Sequence, residues 1–285
     1  MFNYATGALL AATAFAGMAD YSENGANWGG LCAEGLEQSP INLVTDTDIS
    51  DKMELVGYNY YDFASDAKAS DPTYTTSFAN QALRSQAELQ ITFADGSKSF
   101  FTPLQFHFHA PSEHSVDGKL YDAEVHFVHT IKGSGTTDEN GNVSGELLGG
   151  VVGVFFDMEE GGSTDNPFLT SLFESAGNEN EVNIALRNFL GGIDMTDYWS
   201  YDGSLTTPPC SEGLKWSVIK QVQPISAEQL KKFTARMSDD ENFAGGNGNN
   251  RVVQGLNSRT LYYSGAYSMA AYAATALAAA ATLFF

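Results

Sequence analysis

The chain has 285 residues, enough for one large domain, and its 43% hydrophobic and 12% aromatic content argues for a packed globule and against disorder. Asp and Glu outnumber Lys and Arg 35 to 14, a formal charge of −21. That balance argues against a nucleic-acid partner, which needs clustered basic residues for its phosphates. It fits exposure to salt or acid, and a plain solvated acidic surface equally well.

In chain order, residues 1–19 carry no charged side chain. An apolar run from Ala8 to Ala16 precedes small residues ending at Ala19. This reads as an export signal without the usual basic start, or else as a buried N-terminal helix. Asp20–Glu37 is polar and Gly-rich and reads as an irregular arm carrying Trp28. Gln38–Leu43 reads as a turn entering a short strand, with Pro40 at the edge. Met53–Phe63 and Leu89–Phe101 alternate as strands do. Ala94–Ser97 is a hairpin turn into the next run, and Asp66–Thr76 is a polar loop.

Further on, Gly133–Glu146 is composed as a surface loop, and Leu147–Asp157 is a continuous apolar run suited to a central strand buried on both faces. Pro167–Ala176 and Ser226–Met237 have helical spacing, and Ser226 with Gln229 forms a capping box. Gly203–Cys210 is a turn-rich loop and Trp216–Ile219 a strand. With no repeat or linker, one domain spans residues 20–262. The expected class is mainly β with peripheral helices (α+β), around a large, mostly antiparallel, twisted central sheet. The apolar tail, residues 263–285, contains a chargeless run from Met269 to Phe285. It reads as a cleaved lipid-anchor signal, with Ser264–Ala266 or Asn257–Ser258 as attachment points, as a membrane anchor, or as a surface helix.

All five histidines lie between positions 107 and 129. In a strand, Gln105, His107 and His109 share one face while Phe106 and Phe108 share the other. In the second run Glu124, His126 and Val128 share a face, opposite Val125, Phe127 and His129. If the strands pair, His107, His109 and His126 converge as three nitrogen ligands. Three protein ligands plus water is the arrangement of a catalytic zinc (Zn2+). Gln105 and Glu124 are placed to accept the second ring N–H of a ligating histidine. His114 and His129 read as buried, hydrogen-bonded scaffold residues.

Gln105–His109, Pro111–Gly118 and Glu124–His129 together resemble the zinc segments of the α-class carbonic anhydrases. Tyr198–Glu212 is similar to that family's active-site loop. Gln38–Leu43 and Asn249–Leu256 resemble its N- and C-terminal signatures, so the resemblance covers residues 27–260. It implies zinc on His107, His109 and His126, and zinc-bound hydroxide that reversibly hydrates carbon dioxide to bicarbonate and a proton. Glu113 and Thr206 would be the catalytic gate, with the Thr206 hydroxyl donating to Glu113. The Thr206 N–H and Thr207 would hold bicarbonate, and Val128, Val151, Leu205 and Trp216 would line the carbon dioxide pocket. Cys32 and Cys210, free thiols in a cytosolic protein, fall where exported members carry a disulfide. Two departures stand out: no histidine is left to shuttle protons, and Gly30 follows Trp28-Gly29 where the family often places a tyrosine. The alternative function is a catalytically silent binding or matrix module.

Overall fold

The computed structural model describes residues 19–45, 55–59, 63–65, 76–77, 88–92, 98–131, 149–176, 182–184, 186–237, 244 and 246–264. Residues 1–18 of the expected export signal, residues 66–75 of the first polar loop, the whole of the second, the Ala94–Ser97 turn and the apolar tail beyond Ser264 lie outside these residues.

The main sheet follows from two long apolar-alternating runs and the continuous run beside them. β1 (Asn42–Leu43), β2 (Leu55–Asn59), β3 (Phe63–Ser65), β4 (Thr76–Ser77), β5 (Glu88–Thr92) and β6 (Lys98–His109) precede the centre. β7 (Ser115–Val116), β8 (Lys119–Leu120), β9 (Ala123–Ile131) and β10 (Gly149–Phe156) follow, then β11 (Val182–Ile184), β12 (Tyr198–Ser204), β13 (Glu212–Gln223) and β14 (Tyr262–Ser264). Nine described strands form one sheet in the order β14-β12-β13-β10-β9-β6-β5-β2, with β4 also on β6. Only the β10–β13 pairing in it is parallel. The mostly antiparallel sheet is therefore as expected. β10 is central and buried along its whole length, as its apolar run requires.

Among the described residues four helices lie outside the sheet: α1 (Leu31–Glu34), α2 (Pro167–Ala176), α3 (Leu186–Gly191) and α4 (Ala227–Met237). The capping box of α4 forms, with Gln229 N–H donating to Ser226 Oγ at 3.3 Å and Ser226 N–H to Gln229 Oε1 at 3.4 Å. Phe106, Phe108, Val125, Phe127, Val152, Val154 and Phe156 turn one face of the sheet toward α2, α3 and α4. The opposite face carries Val128, Val151, Phe155, Leu214, Trp216 and Val218. Strand parity thus sorts the chain into a helix-covered layer and a site-bearing layer.

Three expectations need correction. Met53–Phe63 is not one strand: β2 pairs with β5, whereas β3 pairs with β11. Gly203 and Ser204 belong to a strand rather than the loop, because β12 stays paired with β13 as far as Ser204↔Glu212. The strand expected at Trp216–Ile219 runs from Glu212 to Gln223. β6 holds a further irregularity. Its register against β9 shifts between Pro103 and Gln105. Pro103 has no N–H for the ladder, and the extra residue lets Phe101 and Phe106, an odd number apart, both face the helix layer.

His129 is fully buried, opposite in parity to His126, with Nδ1 3.2 Å from the Gly150 carbonyl oxygen. Burial pushes its pKa from 6.5 down to about 4, against smaller opposing hydrogen bonds. The unfolded chain takes up this proton near 6.5 and the folded chain only near 4. Its contribution is therefore whole above pH 6.5 and is lost as the pH falls toward 4, by up to about 3 kcal/mol. Urea unfolding between pH 7.5 and 4 should show a shallower acid loss in His129→Gln than in wild type. Parallel curves would remove His129 from the account.

Candidate metal centre

The register of β6 on β9 sets His107 directly across from His126 and His109 across from Glu124. All three imidazoles are buried. Their ring centroids are 5.0 Å (His107–His109), 5.4 Å (His107–His126) and 4.6 Å (His109–His126) apart. One ligand atom from each lies within 4.8 Å of the others, so the three could hold a metal ion. The structure therefore brings together the three histidines singled out by parity and leaves His129 on the other face.

The second ring nitrogens are held from outside the cluster. His107 Nδ1 is 2.9 Å from Gln105 Oε1, and His109 Nδ1 is 2.8 Å from the Asn249 carbonyl oxygen. His126 Nε2 approaches Glu124 Oε1 to 2.9 Å, off the line of a hydrogen bond. Both carbonyl and amide oxygens accept, so Nδ1 of His107 and His109 carries the proton and Nε2 presents a lone pair. His109 Nε2 is buried with no hydrogen-bond partner. Such an orphaned acceptor, aimed at two others, is what a cation would satisfy. Burial first, then the neighbouring His109 and His126, holds the His107 pKa well below the ordinary value. Burial also lowers that of His109, outweighing Glu113. Neutral imidazole is the ligating form, and three of them with one open side fit zinc.

Glu124 does more than face His126. Its Oε2 accepts the backbone N–H groups of Glu113 and His114, each at 2.9 Å, and its Oε1 lies 2.8 Å from His114 Nδ1. Burial would raise its pKa, but His114 and His126 outweigh that and hold the carboxyl well below the usual range. Room for this carboxylate comes from Gly153 on β10, across from His126, where a Cβ would lie 2.8 Å from Glu124 Oε1. His114 Nε2 is 2.7 Å from the Tyr201 hydroxyl, which is 2.9 Å from Ser39 Oγ. His114 Nδ1–H donating to Glu124 makes Nε2 the acceptor of the Tyr201 hydroxyl, and Ser39 then donates to Tyr201.

A cleft of about 370 Å³ opens onto His107 and His126. Val128, Val151, Leu205, Thr206, Thr207 and Trp216, the expected lining, all border it, together with Gln105 and Leu214. Leu214 stands two residues before Trp216 on β13, so parity could have found it. The loop from Leu205 is closed by Leu205 N–H to Ser211 O at 3.0 Å and Cys210 N–H to Thr207 O at 2.8 Å. A disulfide joins Cys210 to Cys32, and Trp216 Nε1–H donates to Ser204 O at 3.0 Å.

Glu113 is fully buried. The Thr206-to-Glu113 hydrogen bond is not made in this structure. Glu113 Oε1 accepts the Arg251 backbone N–H at 2.9 Å, and Oε2 has no hydrogen-bond partner, facing His109 Nε2 at 3.4 Å and His126 Nδ1 at 3.7 Å. The carboxylate is thus turned toward the imidazoles instead of the loop. Nearby, Tyr21 is buried edge-on to Trp28, ring centroids 5.3 Å apart. Burial, then the Glu113 carboxylate, raises its phenol pKa well above the usual value. A tyrosine does stand beside the site, then, although none follows Trp28-Gly29. Sequence reasoning also assigned no role to Ser39, Tyr201, Asn249 or Arg251, although all lie within the segments it singled out.

The eukaryotic-type carbonic anhydrase family model matches residues 23–265. A carbonic anhydrase of Klebsiella pneumoniae is 33% identical over 89% of this chain and 94% of that protein. One of Dunaliella salina is 32% identical over 85% of this chain, which takes in 43% of that protein. Among solved structures, the alpha-carbonic anhydrase of Thermovibrio ammonificans in complex with sulfanilamide has a TM-score of 0.57 at 32% identity, over 81% of this chain and 89% of that one. Continuous similarity from the N-terminal arm to β14, with the five histidines inside it, means that this chain belongs to the eukaryotic-type, or alpha, carbonic anhydrase family.

Proposed function

We propose that the chain reversibly hydrates carbon dioxide to bicarbonate and a proton, with zinc held by His107, His109 and His126. The observation that carries this is three buried, converging imidazoles, two of which border a cleft walled by Val128, Val151, Leu205, Leu214 and Trp216. When bound, zinc supplies a nucleophile near neutral pH by lowering the pKa of water to about 7. The apolar wall suits an uncharged, linear substrate and excludes competing water. Gln105, Glu124 and the Asn249 carbonyl orient the three ligands.

Glu113 and Thr206 form the gate once the Glu113 carboxylate, here turned toward the imidazoles, meets the Thr206 hydroxyl. A carboxylate can only accept, so a Thr206 hydroxyl that donates to Glu113 must accept from the nucleophile and aim its lone pair at the substrate carbon. The Thr206 N–H and Thr207 then bind the bicarbonate oxygens. Wild-type protein should contain about one zinc per chain and hydrate carbon dioxide, as stopped-flow with a pH indicator would read. His107→Ala should lose the metal, and Thr206→Ala should keep it while kcat/KM falls roughly 10²-fold. A zinc-free, inactive wild type would point instead to a silent binding or matrix module.

Protons must leave without a mobile histidine, since all five are buried in the scaffold or the ligand set. Buffer and water chains carry them, so turnover should climb steeply with imidazole concentration. A rate that is high and flat from low to high imidazole contradicts this.

The same reading makes residues 1–19 an export signal, 20–262 the catalytic domain and 263–285 an anchor signal or membrane anchor. The Cys32–Cys210 disulfide supports an oxidising compartment. Among the described residues no helix is long and apolar enough to cross a membrane. Mass spectrometry of the mature protein should find a start near residue 20 and a shortened or lipid-bearing end. An intact start at Met1 rules out the signal.

A further inference from the structure

β6 ends at His109, and the ladder thins before it does. On one side β9 continues to His109↔Glu124. On the other, β5 stops at Phe101 and β4 reaches only Gln105 and Phe106. Among the described residues no strand flanks positions 107–110 on that side. A ligand on such a strand end is exposed to fraying, which uncouples the ring from its partners.

Asn249 supplies the missing neighbour. Its Nδ2–H donates to the Phe108 carbonyl at 2.9 Å, and its Oδ1 accepts the Ala110 N–H at 2.9 Å. The side-chain amide thus stands in for a strand, clamping the backbone on either side of His109. The main-chain carbonyl of the same residue accepts His109 Nδ1–H at 2.8 Å. Asn249 is fully buried. The close approach needs the preceding Gly248, at φ 84°, where a Cβ would lie 2.6 Å from the Ala110 oxygen.

We propose that the Asn249 side chain is a positioning residue for the metal centre, fixing the strand end that bears His109 so that its Nε2 is held on the other two imidazoles. The proposal rests on the zinc reading above. It concerns the side chain, whose two hydrogen bonds are separable by mutation from the carbonyl that meets the ring.

Asn249→Ala removes both side-chain bonds and keeps the carbonyl. Asn249→Asp is nearly isosteric and turns only the Phe108 donor into an acceptor, so it serves if the first variant does not fold. Leu172→Ala, in α2 and far from the cleft, is the control for lost stability alone. Zinc-loaded wild type and variants would be mixed with dipicolinate and the loss of metal followed. Both Asn249 variants should lose zinc roughly 10- to 100-fold faster than wild type, and their cobalt-substituted forms should show altered visible spectra. Leu172→Ala should match wild type in both. In metal-free protein, the downfield imidazole N–H resonance of His109 should persist in wild type and Leu172→Ala and vanish in Asn249→Ala. Asn249 variants with wild-type zinc loss, cobalt spectrum and N–H resonance overturn the proposal. A wild type that takes up no metal overturns the zinc reading instead, and the N–H resonance still decides whether Asn249 holds the ring.

Discussion

The pairing register of β6 and β9 is the constraint on which the rest of the site depends. It sets His107 opposite His126 and His109 opposite Glu124. A slip of one residue would carry every one of these side chains into the phenylalanine layer. That layer supplies the force. Phe106, Phe108, Val125 and Phe127 are fully or almost fully buried against the helices, and each contributes on the order of 2 kcal/mol. The polar face has no comparable drive of its own, since neutral imidazoles and carboxylates resist burial. It is carried into place by the apolar face behind it.

Once there, the polar groups are made tolerable by hydrogen bonds that each serve two ends. Glu124 takes two backbone N–H groups and His114, while approaching His126. Glu113 takes Arg251 N–H, and the Arg251 guanidinium in turn reaches Gln38, Ser39 and the Cys32 carbonyl. Removing one partner from such a network strands a buried acceptor, which costs more than the hydrogen bond contributed. The site is therefore stiff, and the loop bearing Thr206 is tied into the same network through Ser39 and the disulfide.

Much of the candidate ligand set was legible because alternation in a strand is a short-range rule. His107, His109 and His126 could be separated from His129 by counting residues, and Gln105 by the same count. Leu214 was open to that rule too. Asn249, Tyr201, Ser39 and Tyr21 were not, because nothing local in the sequence says which distant segment will lie against a given strand. Asn249 touches residues 139 to 141 positions earlier, and Tyr201 meets Ser39 across 162. The β2–β3 break and the extension of β12 eluded alternation for a related reason: strand length follows the partner. The orientation of Glu113 also escaped, since a family pattern names a residue but not the rotamer it adopts.

The N-terminal arm and the segment around Arg251 hold each other across more than two hundred positions: Arg251 to Cys32 spans 219, Asn24 to Asn250 226. Loop closure over such separations is slow and comes late. A chain emerging from the ribosome can pair β6 with β9 and gather its histidines, but the Glu113 carboxylate and the His109 ring have no hydrogen-bonding anchor until residues 249–251 exist. Completion of this centre therefore waits on a segment synthesised 140 positions after His109.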